Sequence, residues 1–198
     1  MRLIQTLSSC LCTGIIALFT ACSQAPQSPI DSVNPFIGTG FHGHTYPGAT
    51  APYGAVQLSP DTRKGNWDAC SGYHYSDSTL MGFSHTHLSG TGCTDLGDIL
   101  IMPLNEIRTP RGNQDDIRDG YASKYSHDNE IARPEYYSLL LDRYNIKAEL
   151  TATDRVGFHR YTYPEGKPAS ILIDLREGNG SNAYDSYIRK VDDYTVEG

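Results

Sequence analysis

The sequence predicts an all-β fold, an antiparallel β-sandwich with long glycine-rich loops. Three observations carry that prediction. Residues 146–153, NIKAELTATD in context, alternate apolar and polar side chains, the period of a half-buried strand. Further strand-like runs follow one another without an intervening helical period, which argues for antiparallel pairing. And the region from Val33 to about Gly97 is rich in Gly, Pro, Ser and Thr, with eleven glycines between Gly38 and Gly97 where average usage gives about four. Glycine permits sharp turns and close backbone approach, so this half reads as short strands joined by shaped loops.

The extreme N-terminus stands apart. Arg2 precedes an apolar stretch from Leu11 to Ala21, which ends in small residues before Cys22. That is the layout of an export signal, too short to span a bilayer comfortably. Residues 1–21 are therefore expected to be a lipoprotein signal peptide, with Cys22 as the lipidated residue that ties the protein to a membrane. An ordinary signal-peptidase site and an uncleaved anchor are the alternatives. Residues 22–32 are polar with two prolines and read as a flexible tether. Residues 33–198 form the folded domain, and the protein is expected to be exported, at the periplasm or cell surface.

Within that domain the strands are read in order. YYSLLLD, at 136–142, leads into the alternating strand. VGFHRYTYP, at 156–164, follows it. SILIDL comes after the Pro164–Pro168 turn, and YIRKVDDYTVEG gives a strand, a tight turn and the start of a partner. Gln114 to Ala132 has room for a helical turn or two before Pro134 stops it. The pattern breaks off with the last strand's partner unsupplied, so the sandwich is expected to be truncated at its C-terminal end.

Bulk chemistry narrows the function. The formal net charge is −7, and no basic block survives beyond the signal, so nucleic acid is not an expected partner. Beyond Cys22, the cysteines are Cys70 and Cys93. They form either a disulfide, which an oxidising compartment would allow, or two buried free thiols.

The motifs divide into those that fail and those that stay open. Gly38–Gly43 matches G-x-G-x-x-G, but Pro47 and Pro52 follow, and no helix can open there to receive a pyrophosphate. No G-x-S-x-G elbow is present. His85 and His87 share one face of a strand. With His42, His44, His74, Asp95 or Asp98 they could hold zinc, but the spacing matches no zinc signature, and structural histidines are the better reading. Asp61, Asp68, Asp77, Asp95 and Asp98 are acid–base candidates by type only, and no pair stands out. Trp67 is the only tryptophan, set among Asp68, Tyr73, His74 and Tyr75. An aromatic plate ringed by polar side chains suits the apolar face and hydroxyl edge of a sugar; a core tryptophan suits the sequence equally.

Longer strings carry a resemblance. VNPFIGTGFHGHTYPGATAPYGAVQLSPDTR, then DACSGYHYSDSTLMGFSHTHLSGTGCTDLGDILIMP, then YYSLLLDRYNIKAELTATDRVGFHRYTYP resemble the amino-terminal domain of glycoside hydrolase family 92. These are calcium-dependent, exo-acting α-mannosidases. The resemblance runs from Val33 to the end. It implies a supersandwich-like β-domain facing a C-terminal (α/α)6 barrel that this chain lacks. It implies that the catalytic acid, the base and the calcium ligands belong to that barrel, so no catalytic residue and no metal ligand is expected here. Trp67 matches a family tryptophan beside the leaving-group sugar. Asp68, His74, His85 and His87 are expected to add to the substrate-binding wall. The implied activity is inverting hydrolysis of mannose-containing glycans, with α-1,2 linkages expected, and the chain alone is expected to be inactive. A non-catalytic carbohydrate-binding module and a purely structural sandwich are the rival readings.

Overall fold

The computed structural model describes residues 28–111, 118, 120–176, 178 and 183–198. The signal peptide, Cys22 and most of the expected tether lie outside the described residues. The chain divides into two units, Met1–Ser32 and Val33–Gly198. In the first, Pro29–Ser32 form a single 3-10 turn, so the last residues of the expected tether are ordered locally. The Asp31 carboxylate accepts from the Ser28 backbone N–H at 3.1 Å.

The second unit is built of antiparallel strands, and no α-helix occurs among its described residues. In chain order these are β1 (Ala49–Thr50), β2 (Gln57–Asp61), β3 (Thr79–Leu80), β4 (Gly82–Ser84), β5 (Leu100–Leu104), β6 (Ser123–Lys124) and β7 (Glu130–Arg133). They continue with β8 (Tyr136–Leu141), β9 (Ile146–Ala152), β10 (Gly157–Thr162), β11 (Ser170–Asp174), β12 (Arg189–Lys190) and β13 (Val196–Glu197). One sheet has the order β1-β2-β4-β5-β11 and the other β10-β9-β8-β7, while β3 pairs with β6 and β12 with β13. The chain leaves the first sheet after β5, builds the second as a meander, and returns as β11 beside β5.

The alternating strand behaves as its pattern predicts. Ile146, Ala148 and Leu150 are buried, and Lys147 and Thr151 are exposed. Tyr137, Leu139 and Leu141 of β8 face the same core, opposite Leu58, Phe83, Leu100, Met102 and Leu104 from the first sheet. Phe83 and Tyr137 meet edge to face across the sandwich, with centroids 6.5 Å apart, a favoured aromatic geometry. Side chains from two facing sheets exclude water between them, and that burial is what drives the two layers together.

One expectation changes. The helical allowance at 114–132 reduces, among the described residues, to a 3-10 turn at His127–Asn129, capped by the Ser126 hydroxyl accepting from Asp128 N–H. The expected strand, tight turn and partner strand near the end form a small separate hairpin, in which Arg189 pairs with Glu197 and Lys190 with Val196.

Candidate functional site

The loop between β2 and β3 carries the tryptophan. Asn66 starts a 3-10 turn at Trp67–Ala69, its side-chain oxygen accepting from Asp68 N–H at 2.9 Å. This cap satisfies a donor that the turn would otherwise leave orphaned. The indole is 55% exposed, which rejects the core reading. Around it stand His44, edge-on with ring centroids 4.4 Å away, and His42 at 5.2 Å. A Cβ at Gly92 would lie 2.6 Å from the indole nitrogen, so glycine is what lets the 90–93 backbone pass the ring so closely.

Asp68 is hydrogen-bonded through Oδ1 to Nδ1 of His42. That bond holds the Asp68 carboxyl below its usual range, against a smaller opposing effect of desolvation; the positive potentials of His42, His74 and His44 add to it. A carboxylate and an imidazole thus lie side by side at the rim of an aromatic plate.

The loop that bears Trp67 is closed at its neck. Thr62 N–H donates to the Gly72 carbonyl at 2.7 Å. Asp77, buried, accepts from the Arg63 guanidinium and the Thr62 hydroxyl at 2.8 Å. Further along, Tyr73 donates to Glu130 at 3.0 Å, as does Tyr137 at 2.6 Å, and His127 Nδ1 faces the same carboxylate at 2.5 Å. Burial pushes the Tyr73 phenol far above its ordinary range, with Tyr125 and the Glu130 carboxylate adding to it. It therefore stays a donor, and this buried carboxylate pins the loop to the second sheet.

The other expected wall residues have different roles. His74 is buried; its Nε2 donates to the Phe41 carbonyl at 3.1 Å, while Nδ1 accepts from the Ser76 backbone N–H at 3.2 Å and faces the Ser76 hydroxyl at 2.8 Å. It is a strut between two loops rather than a group presented to a ligand. His87 is also buried. Its Nδ1 donates to the Gln57 carbonyl at 2.7 Å, and Nε2 faces Ser84 Oγ at 3.0 Å and Asp61 Oδ1 at 3.1 Å. His85 Nδ1 donates to the Ile99 carbonyl at 2.8 Å, and its Nε2 meets Nε2 of His159 at 3.0 Å. His85 and His87 therefore do not stand beside Trp67 as open ligands. Both ring nitrogens of each are engaged inside the fold, because the backbone turns after β4 and carries them inward.

Cys70 and Cys93 are not joined by a disulfide; Cys70 is buried and Cys93 exposed. Cys70 is buried with its sulfur on the Thr91 carbonyl. Burial pushes its thiol up, which makes it a poor nucleophile. Among the described residues no group of three or more His, Cys, Asp or Glu side chains is placed to hold a metal ion. The residues missed from sequence as neighbours of Trp67 are His42 and His44. Their signal is the glycine-spaced H-x-H of FHGHT, which only folding brings against the indole.

Comparison with known proteins identifies the class. The sequence profile described as Glycosyl hydrolase family 92 N-terminal domain matches residues 32–198, and the chain belongs to that family. It is similar to a family GH92 α-mannosidase from Bacteroides thetaiotaomicron solved in complex with mannoimidazole, at 47% identity and a TM-score of 0.81, over 84% of this chain and 22% of that one. An inverting family GH92 mannosidase from the same organism matches at 28% identity and a TM-score of 0.60, over 75% of this chain and 20% of that one. A protein called an uncharacterized secreted glycosidase, from Arthroderma benhamiae, is 29% identical over 85% of this chain and 22% of its own length. The chain thus spans about a fifth of the length of the relatives it matches.

Proposed function

We propose that this domain is the glycan-facing β-sandwich of an exported, exo-acting α-mannosidase that trims α-1,2-linked mannose with inversion. The observation that carries the reading is the exposed Trp67 beside the His42–Asp68 pair, on a loop closed at its neck, in a chain 47% identical to the aligned part of a mannosidase solved with mannoimidazole. Trp67 takes the apolar face of the sugar on the leaving-group side. Asp68 and His42 take hydroxyls at its edge.

Inverting hydrolysis needs an acid to protonate the glycosidic oxygen and a base to activate water on the opposite face, with carboxyls about 6.5–9.5 Å apart. We assign both to a helical domain beyond this chain. We assign the calcium that the family implies, which takes oxygen ligands, to the same helical domain; among the described residues no group of three or more His, Cys, Asp or Glu side chains is placed to hold a metal ion. Residues 1–21 are proposed as a lipoprotein signal, with lipid on Cys22 as the membrane anchor; that the relative from Arthroderma benhamiae is called secreted supports export.

The test is mannose release from α-1,2-mannobiose. This chain alone is expected to release none, and turnover by it would overturn the assignment of acid and base elsewhere. The exposed indole also favours a second reading, a carbohydrate-binding module. Calorimetric titration separates the two: micromolar binding by the chain alone marks a module, whereas millimolar binding marks one wall of a larger site.

A further inference from the structure

Phe41 is 80% exposed and has a φ of 55°. A bulky side chain on left-handed backbone is unfavourable, and so is an exposed phenyl ring, so folding alone gives no reason for phenylalanine here. The loop that carries it is nonetheless held firmly. Thr45 N–H donates to the Gly38 carbonyl at 3.1 Å and Gly43 N–H to the Gly40 carbonyl at 3.2 Å. A Cβ at Gly43 would fall 2.0 Å from the Gly38 oxygen, so the loop closes too tightly for any other residue there. His74 Nε2 donates to the carbonyl of Phe41 itself, tying its backbone to the loop that bears Trp67.

The position of the ring gives the chemistry. The His42 imidazole is in ring contact with both aromatics, 4.2 Å from Phe41 and 5.2 Å from Trp67. The side chains of His42 and Asp68 are 51% and 36% exposed. Two aromatic plates therefore border one polar pair that is open to hydroxyls. A single sugar needs one plate and one polar edge. A second plate with the same polar edge fits the next sugar in a chain.

Resting on the reading of Trp67 as a sugar platform, we propose that Phe41 is a second platform that binds a further mannose unit of an extended glycan, and so makes the site selective for oligosaccharides over disaccharides. Strained backbone that fixes an exposed aromatic is the kind of outlier from which a binding role is inferred.

Trp67, the only tryptophan, supplies the readout. Its fluorescence is titrated in the full chain with methyl α-mannoside, α-mannobiose and α-mannotriose, each into the tens of millimolar. In the wild type the third sugar is expected to improve affinity by about tenfold, as burial of one sugar face on a ring provides. Phe41→Ala should abolish that gain and leave the disaccharide response unchanged, and Phe41→Tyr should restore it. Phe41→Gly, which relieves the backbone, controls for folding and should behave as the alanine variant does. An undiminished trisaccharide gain in the alanine and glycine variants overturns the second platform while leaving Trp67 in place. A Trp67 signal that no mannoside moves overturns the platform reading of Trp67 and this inference with it.

Discussion

Trp67 and Phe83 show how one residue class takes opposite roles. Phe83 is fully buried between the sheets and Trp67 is half exposed on a loop. Phe83→Ala should cost about 3–5 kcal/mol, since it leaves a cavity. Trp67→Ala should cost less than about 1 kcal/mol, as surface truncations do. Urea unfolding of both variants checks this, and near-equal losses would return Trp67 to a structural role. The His85–His159 pair gives a pH prediction. Because His85 Nδ1 donates to a carbonyl, its Nε2 accepts, His159 Nε2 donates, and the Tyr161 hydroxyl donates to His159 Nδ1 at 2.6 Å. Burial, with the neighbouring His85, pushes His159 down to about 4 from 6.5. Unfolding restores the higher value, so the unfolded chain binds more protons in that interval. Stability from this site is full above about pH 6.5 and is lost as pH falls toward about 4. Unfolding free energies of wild type and His159→Gln at pH 7.5 and pH 5 should differ in slope, the variant being the flatter.

At the scale of the element, the Trp67 loop depends on anchors outside itself. Asp77→Asn weakens the contact with Arg63 across the neck, where the carboxylate side chain is 2% exposed. A loss of about 1–3 kcal/mol is expected for a buried, charge-assisted pair left half made, with a red shift of Trp67 emission as the ring gains water. An unshifted spectrum would show that the neck does not position the indole. Strand β11 offers a second case. Its terminal Asp174 is buried, which alone would raise its carboxyl, but the Arg176 side chain and backbone N–H and the Tyr121 hydroxyl lower it to about 2. A depressed carboxyl stabilises the fold above its unfolded value near 3.8 and loses that contribution as pH falls toward about 2. Acid unfolding of Asp174→Asn should therefore be less steep across that window than that of wild type.

At the scale of the molecule, two sheets supply the base and the glycine-rich loops supply the surface that presents Trp67. The loop that bears Trp67 buries Ala69, Cys70 and Tyr73, and its geometry rests as well on short hydrogen-bonded closures and on buried carboxylates such as Glu130 and Asp77. If Cys22 is the lipid anchor, Cys22→Ser should move the protein from the membrane to the soluble fraction of a bacterial host. Fractionation that leaves it membrane-bound would reject that anchor.

The sequence by itself determined the all-β class and the strands of the second sheet, because period-two burial is written locally: 146–152 alternate whatever the rest of the chain does. It also carried the family, through long uninterrupted strings. The tertiary structure decided which histidines meet which partners. His85 and His159 lie 74 residues apart, and His42 reaches Asp68 across 26. Contacts at that separation depend on how the end of β4 in one sheet meets β10 of the other and on how the loops close. Hydrogen-bond capacity alone cannot choose among seven histidines, because each has two ring nitrogens and many polar groups can satisfy them; the packed sheets and pinned loops make the choice.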